Sequence, residues 1–209
     1  MKKSFALMLA MGGLLWADYK VEPAGAPPSE LAPAIQQALQ KQGAKIVGSD
    51  GTAWCEIWFR EAAPAGKGSD EMGVTLKDIP LGSLVGAIRF PGKGADRRGQ
   101  VIPPGVYTLR FELHPVDGAH QGVAEQRDFL VMSPAAMDTD LNAITPFNDL
   151  MKLSAKATGT PHPGILETWK DEPGAAGKLE KLGENDWYLH AQIGDKPIAV
   201  ILVGKAAEH

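Results

Sequence analysis

The sequence predicts a mainly β protein, an antiparallel β-sandwich of the immunoglobulin or jelly-roll kind with two short helices. Three observations support this prediction. Several segments alternate apolar and polar residues with a period of two, as strands do when one face is buried. Turn-forming stretches rich in glycine, proline or aspartate separate those segments. Helical spacing occurs in only two short stretches, so we expect the helices to cover sheets.

The first residues follow the order of a secretory signal peptide. Lys2 and Lys3 precede an apolar stretch over 4–15, and Leu15-Trp16-Ala17 ends in a small residue that suits cleavage. A buried N-terminal helix is the alternative, but the flanking charge favours export. The apolar stretch is shorter than the roughly 20 residues of a membrane-spanning helix. We therefore expect 1–17 to be removed and the protein to be periplasmic or secreted.

Composition limits the classes of partner. The formal net charge is −4 for 209 residues, and loss of Lys2 and Lys3 with the signal peptide makes it −6. An acidic chain lacks the positive surface of a nucleic-acid binder, and no later apolar stretch is long enough to span a membrane. Cys55 is the only cysteine, which excludes an intramolecular disulfide. We expect a partner at the cell envelope, either a protein or a saccharide.

After the signal peptide, residues 18–28 are expected to form a linker, because VEPAGAPP shows no periodicity. Residues 29–209 are expected to form a single β-sandwich domain. A short helix begins this domain in the prediction, with Ser29 as its N-cap and Gly43 at its C-terminal end. Pro33 lies near its start and constrains the first turn.

The segment from Ala44 to Met132 is expected to be β. Strands are predicted over 44–48, 53–61, 74–78, 83–90, 107–113 and 128–132. In the second strand, apolar Cys55, Ile57 and Phe59 alternate with Trp54, Glu56, Trp58 and Arg60. In the fifth strand, Tyr107, Leu109, Phe111 and Leu113 face one side, and Thr108, Arg110, Glu112 and His114 face the other.

A helical insertion is expected near 139–158, with Thr145 as N-cap and Pro146 at the first helical position. Two further strands are predicted over 187–193 and 197–204, and Gly194-Asp195 forms a turn between them. The last strand, PIAVILVG, is apolar throughout, as expected for a strand buried on both faces.

The loop after the fifth predicted strand holds the densest group of metal-binding side chains. His114, Asp117 and His120 lie within seven residues, and Gly118 lets the chain fold back. Two imidazoles and a carboxylate can bind one divalent metal, with His162 or His190 as a further ligand. The spacing matches no standard motif, and the alternative is a turn in which Asp117 bonds its own backbone. No other cofactor is expected.

A second hypothesis places a ligand on the polar strand faces. Trp54 and Trp58, if exposed, could stack on sugar rings, and Arg110 is a further candidate ligand-binding residue. The alternative is that the N-terminal helix or a second sheet packs against these tryptophans. The sequence contains no G-x-S-x-G, phosphate-binding glycine loop or H-E-x-x-H motif. Catalytic residues are therefore not assigned.

Two segments resemble known exported bacterial proteins. Residues 31–60 and 103–140, in which Asp117-Gly118-x-His120-x-Gly122 and Arg127-Asp128-Phe129 carry most of the likeness, resemble exported β-rich proteins grouped as domains of unknown function. The motif IPPGVYTL, starting at Ile102, is similar to a strand of the DUF2911 family. The resemblance implies a β-rich fold and no activity. We expect a non-enzymatic binding or accessory module of the envelope; a metal-dependent site and a carbohydrate-binding module are the alternatives.

Overall fold

Ten strands pair edge to edge in one antiparallel sheet that curls nearly into a barrel. The computed structural model describes residues 18–116 and 126–204. The strands are β1 (Tyr19–Pro23), β2 (Ala44–Gly48), β3 (Ala53–Phe59), β4 (Leu84–Phe90), β5 (Gly94–Ala95), β6 (Val101–Ile102), β7 (Gly105–Leu113), β8 (Asp128–Pro134), β9 (Gly164–Lys170), β10 (Leu179–Leu182), β11 (Asp186–Ile193) and β12 (Lys196–Val203), and the helices are α1 (Pro33–Ala38) and α2 (Phe147–Thr158).

The strand order in the large sheet is β1-β2-β3-β4-β7-β8-β9-β12-β11-β10, while β5 and β6 form a separate pair. Strand β1 at one edge contacts β10 at the other. Near this junction the rings of Tyr19 and Trp187 lie 6.0 Å apart, edge to face. The prediction of a mainly β, antiparallel fold is confirmed. A two-sheet sandwich is not confirmed, because one continuous ladder joins the ten strands.

The concave face of the sheet carries the main hydrophobic core. Strand β7 contributes Tyr107, Leu109, Phe111 and Leu113, each at most 5% exposed. The predicted alternation of this strand is therefore confirmed. Strands β3, β4, β11 and β12 supply further buried side chains to the same core, so its interior is packed with protein atoms.

Two helical segments pack on the convex face of the sheet. The segment around α1 packs on Trp58 and Leu84, and α2 packs on Phe129, Val131 and Ile165 through Leu150. Helix α2 ends at Gly159, whose φ of 68° is a left-handed conformation that glycine adopts readily. It begins one residue later than predicted, with Pro146 as the cap residue.

Residues 18–28, the N-terminal helix and residues 74–78 differ from the sequence prediction. Residues 18–28 are not only a linker, because 19–23 form β1 and pair with 44–48. Helix α1 begins at Pro33 rather than near Ser29, since a residue before proline avoids the helical region and Ala32 is extended. Residues 74–78 form a loop, held by Asp128, whose carboxylate accepts bonds from two backbone N–H groups there.

The described residues contain no helix that is long and apolar enough to cross a membrane. The predicted signal peptide, 1–17, lies outside the described residues.

Candidate functional site

Arg110, predicted as a ligand-binding residue, is fully buried and holds the loop that follows β8. Its Nε and Nη2 donate to both oxygens of Asp138, at 2.8 and 2.7 Å. Its remaining N–H groups donate to the carbonyl oxygens of Gly82, Ala143 and Asp140. All five guanidinium donors are thus used within the protein, and none is left for a ligand.

The two predicted tryptophans occupy different surroundings. Trp58 is 1% exposed beneath α1, and its Nε1 donates to the carbonyl of Gly25. Trp54 is partly buried against Phe90, and its Nε1 donates to the carbonyl of Leu202. The pairing shifts here, because Ile46 opposes Cys55 whereas Val47 opposes Ala53. Trp54 is therefore the extra residue of a β-bulge, which turns it away from the face of Trp58. Trp58 offers no exposed ring for a sugar.

Only one of the predicted metal ligands in the loop after β7, His114, lies within the described residues. Asp117 and His120 lie outside the described residues. His114 is buried, stacks on Phe129 with ring centroids 4.3 Å apart, and has its Nε2 3.5 Å from Oε2 of Glu167. His162 lies in an exposed loop. Within 18–116 and 126–204, no three or more His, Cys, Asp or Glu side chains are placed to hold a metal ion. Metal binding by this loop stays a prediction.

A second buried acid lies beside His114 on β7. Glu112 is 4% exposed and sits directly opposite Phe129, which in turn sits opposite Glu167 on β9. Burial raises the pKa of Glu112 to about 7, against the lowering effect of a bond from the backbone N–H of Leu113. This carboxyl is therefore a proton-binding group of the convex face near neutral pH.

A second group of polar and aromatic side chains lies over β9–β12, with Trp169 and Tyr188 partly exposed and Glu180 exposed. We call them the aromatic–acidic face: Trp169, Asp171, Glu180, Tyr188 and His190. Strand β12 lies between β9 and β11, and its Ala199 pairs with Trp169 on one side and His190 on the other. Paired residues share a face, and the small Ala199 leaves room above it. The larger neighbours therefore meet over β12.

The aromatic part of the face is a pair of rings. Trp169 and Tyr188 are partly exposed, with ring centroids 5.3 Å apart and planes tilted by 45°. The Tyr188 ring lies 4.8 Å from His190, and its hydroxyl donates to Oε2 of Glu180 at 3.0 Å. Burial, the bond to Glu180 and nearby negative charge raise the pKa of Tyr188. The phenol is therefore neutral at physiological pH and available as a ring surface.

The acidic part of the face surrounds His190. Nδ1 of His190 lies 2.5 Å from Oδ2 of Asp171, and Nε2 lies 3.5 Å from Oε1 of Glu180. The side chain of His190 is 8% exposed, and its Nε2 makes no hydrogen bond within the described part of the chain. Oδ2 of Asp171 accepts a hydrogen bond from Nδ1 of His190, and the Nε2 side of the ring faces Glu180.

Two shallow depressions lie elsewhere on the surface. One, of about 480 Å³, is lined mainly by residues 65–69 with Pro80, Leu81 and Ile144. The other, of about 260 Å³, lies beside the turn between β2 and β3. Glycine, alanine and proline line much of the first, and few charged groups converge in either. The aromatic–acidic face is thus the stronger candidate for a ligand site.

Comparison with known proteins gives no significant match to a family model, a curated protein or a solved structure. The resemblance to DUF2911 therefore stays an expectation that depends on one short motif.

Proposed function

We propose that the protein is an exported, non-enzymatic module that binds a saccharide at the cell envelope through the aromatic–acidic face. The observation that carries this proposal is the partly exposed pair of Trp169 and Tyr188 beside the carboxylates of Asp171 and Glu180. A sugar ring presents C–H groups on its faces and hydroxyl groups at its edge. The face offers a partner for each.

The rings supply the larger share of the contact area. Trp and Tyr are amphipathic, so they remain stable while partly exposed and still bury apolar surface when a ligand docks. Stacking needs an accessible ring, and Trp169 and Tyr188 are partly exposed whereas Trp58 is buried. This difference supports a proposed saccharide site on β9 and β11 rather than on β3.

The polar groups supply orientation. Glu180 accepts a bond from the Tyr188 hydroxyl and is still 53% exposed, so its free lone pairs can accept hydroxyl protons from a ligand. Nδ1 of His190 and Oδ2 of Asp171 lie 2.5 Å apart, and this contact fixes the orientation of both side chains. A few fixed polar groups beside an apolar surface are typical of binding sites for small molecules.

Export is part of the proposal and rests on the sequence. The charged, apolar and small-residue segments of 1–17 favour secretion. The single cysteine, Cys55, is free and buried in the main core. The fold is therefore stabilised by core packing without a disulfide, which is compatible with export. Cell fractionation followed by N-terminal sequencing tests this part. A mature protein that begins at Asp18 supports it, and full-length protein in the cytoplasm contradicts it.

Binding itself is tested with a panel of soluble envelope oligosaccharides and titration calorimetry. We expect at least one saccharide to bind, and Trp169→Ala to weaken that binding by about 10-fold, equal to about 1.4 kcal/mol. Trp169→Phe keeps a ring and is expected to retain most of the affinity. Met72→Ala, at a residue 91% exposed and outside the face, serves as the control. The proposal fails if no saccharide binds, or if Trp169→Ala binds as the wild type does.

A further inference from the structure

We propose that Arg60, directly after β3, forms an anion-binding site for a carboxylate or phosphate group. The ligand class is an oxyanion with two oxygen atoms that accept parallel hydrogen bonds from one guanidinium. The site uses none of the residues of the aromatic–acidic face. It therefore goes beyond the proposed saccharide function and does not depend on it.

Among the described residues, Arg60 is the one arginine without a carboxylate partner. All six arginines of the sequence lie within the described ranges. Arg60 makes no side-chain hydrogen bond and no ion pair there. The other five each form an ion pair with an aspartate or glutamate: Arg89, Arg97, Arg98, Arg110 and Arg127. The positive charge of Arg60 is therefore not compensated by an acid of the described structure.

This charge is also partly withdrawn from water. Nε of Arg60 is enclosed by protein atoms and has no acceptor among the described residues, and burial lowers the pKa of the side chain. A nearby carboxylate would raise the pKa instead, and none opposes the effect of burial. A guanidinium stays protonated in proteins, so the site holds a desolvated cation. A bound anion stabilises such a cation.

The outer end of the guanidinium is accessible to a ligand. Arg60 is partly exposed, and Nε is its only side-chain nitrogen that is both enclosed and unpartnered in the described structure. Nη1 and Nη2 have no partner there either, so they must have accessible surface. Together they present N–H groups along one edge, which matches two oxygens of a carboxylate or phosphate.

The backbone of Arg60 is fixed, and its surroundings supply no competing acid. Its N–H donates to a carbonyl of β4 at 2.9 Å, and its carbonyl accepts from the N–H of Gly194, in the β11–β12 turn, at 3.0 Å. Asp195, in the same turn, forms an ion pair with Lys196. Glu61 follows in the chain, but it is exposed and has no resolved effect on Arg60. An incoming anion therefore has no internal carboxylate to displace.

Nitrogen-15 NMR observes the site directly, because the enclosure of Nε slows exchange of its proton and keeps its signal visible. The protein is titrated at pH 6 with sodium phosphate or sodium acetate, each replacing sodium chloride at constant ionic strength. We expect the Arg60 Nε–H signal to shift along a saturating curve with phosphate, with acetate or with both. The ion with the lower Kd identifies the group that the natural ligand carries.

Arg60→Gln tests the assigned residue. It keeps a polar side chain but removes the charge and the paired donors, so we expect binding of the preferred ion to weaken by at least about 10-fold. Binding to the variants is followed through the backbone amide signals of Glu61 and Gly194, which lie beside Arg60. Lys93→Gln makes the same change of charge at an exposed residue beyond the opposite end of β4. This control is expected to keep the Kd within about 2-fold.

Arg60→Lys separates paired donors from charge alone. It keeps the charge but lacks the planar pair of N–H groups, so we expect it to weaken binding by about 3-fold or more. It also replaces Arg60→Gln if the spectrum of that variant shows loss of the fold. Binding to Arg60→Lys as tight as to the wild type overturns the site as proposed.

Two further outcomes overturn the inference. One is a response of the Arg60 signal to both ions that does not saturate. The other is binding to Arg60→Gln as tight as to the wild type, since the ion then binds elsewhere. These results do not bear on saccharide binding by the aromatic–acidic face, and failure of every saccharide there leaves the anion site in place.

Discussion

Arg110 and Glu112 are buried ionisable residues on the same face of β7, but only Arg110 has partners for all of its polar groups. Arg110 has a carboxylate partner and carbonyl acceptors for every donor, so its burial fastens a loop to the sheet. Glu112, two residues later, is bonded in the described structure by the N–H of Leu113 alone, at 3.4 Å. A buried carboxylate without a cationic partner is more stable when protonated. The sequence shows that both lie on one face, but their partners come from distant segments.

Glu112 makes stability depend on pH. Its pKa is raised to about 7 from the ordinary 4.5, so the folded protein keeps a proton that the unfolded chain loses between these values. The free energy of unfolding therefore falls as pH rises through this window, by up to about 3 kcal/mol. We expect Glu112→Gln to be more stable than the wild type by up to this amount at pH 8 and by under about 1 kcal/mol at pH 5.

Urea unfolding at the two pH values measures this difference. Glu184→Gln, which changes an exposed carboxyl, is the control and is expected to shift stability equally little at both. A Glu112→Gln variant that is less stable than the wild type at pH 8 would show that the carboxylate has a favourable partner there.

At the scale of elements, the sequence predicted strands well where one face is apolar and the turns are marked. The predicted 44–48 strand matches β2, and 107–113 lies within β7. It missed β9, where outward Ile165, Glu167 and Trp169 are too apolar on average to contrast with inward Leu166 and Thr168. It also missed β1, whose residues pair with β2 although their composition is that of a linker.

The candidate site was harder to predict than the strands. Two of its residues, Trp169 and Glu180, come from β9 and β10, which carry weak local patterns. Their meeting with Tyr188 and His190 depends on the long-range order β9-β12-β11-β10. Local periodicity gives the direction of a side chain but not the neighbour of a strand. The sequence predicts His190 only as a possible further metal ligand, and its neighbours Asp171 and Glu180 follow only from the pairing of the strands.

Strand β7 lies near the middle of the sheet, between β4 and β8, and Phe111 is its fully buried anchor. Replacing it with alanine leaves a cavity that a paired strand cannot close by moving. We expect Phe111→Ala to lower the free energy of unfolding by about 3–5 kcal/mol. Chemical denaturation measures the loss, with the exposed Met72→Ala as a control within about 0.5 kcal/mol. A loss below about 1 kcal/mol would contradict the central position of β7.

For the whole molecule, the main question is whether the sheet behaves as a nearly closed structure in solution. An open sheet leaves edge strands that invite pairing with other chains. Here β1 and β10 approach each other, and Tyr19 on β1 packs edge-on against Trp187 on β11. These two residues are far apart in sequence, so their contact reports on closure rather than on local structure.

A double-mutant cycle on Tyr19 and Trp187 tests closure directly. Tyr19→Leu and Trp187→Leu keep apolar side chains but remove the ring contact. We expect the single losses in unfolding free energy to be coupled by about 0.5–1.5 kcal/mol. A control cycle pairs Tyr19→Leu with Met72→Ala, an exposed residue that shares no described partner with it, and should be additive within about 0.3–0.5 kcal/mol. Additivity in both cycles would mean that β1 and β11 separate in solution and that the sheet is open at this edge.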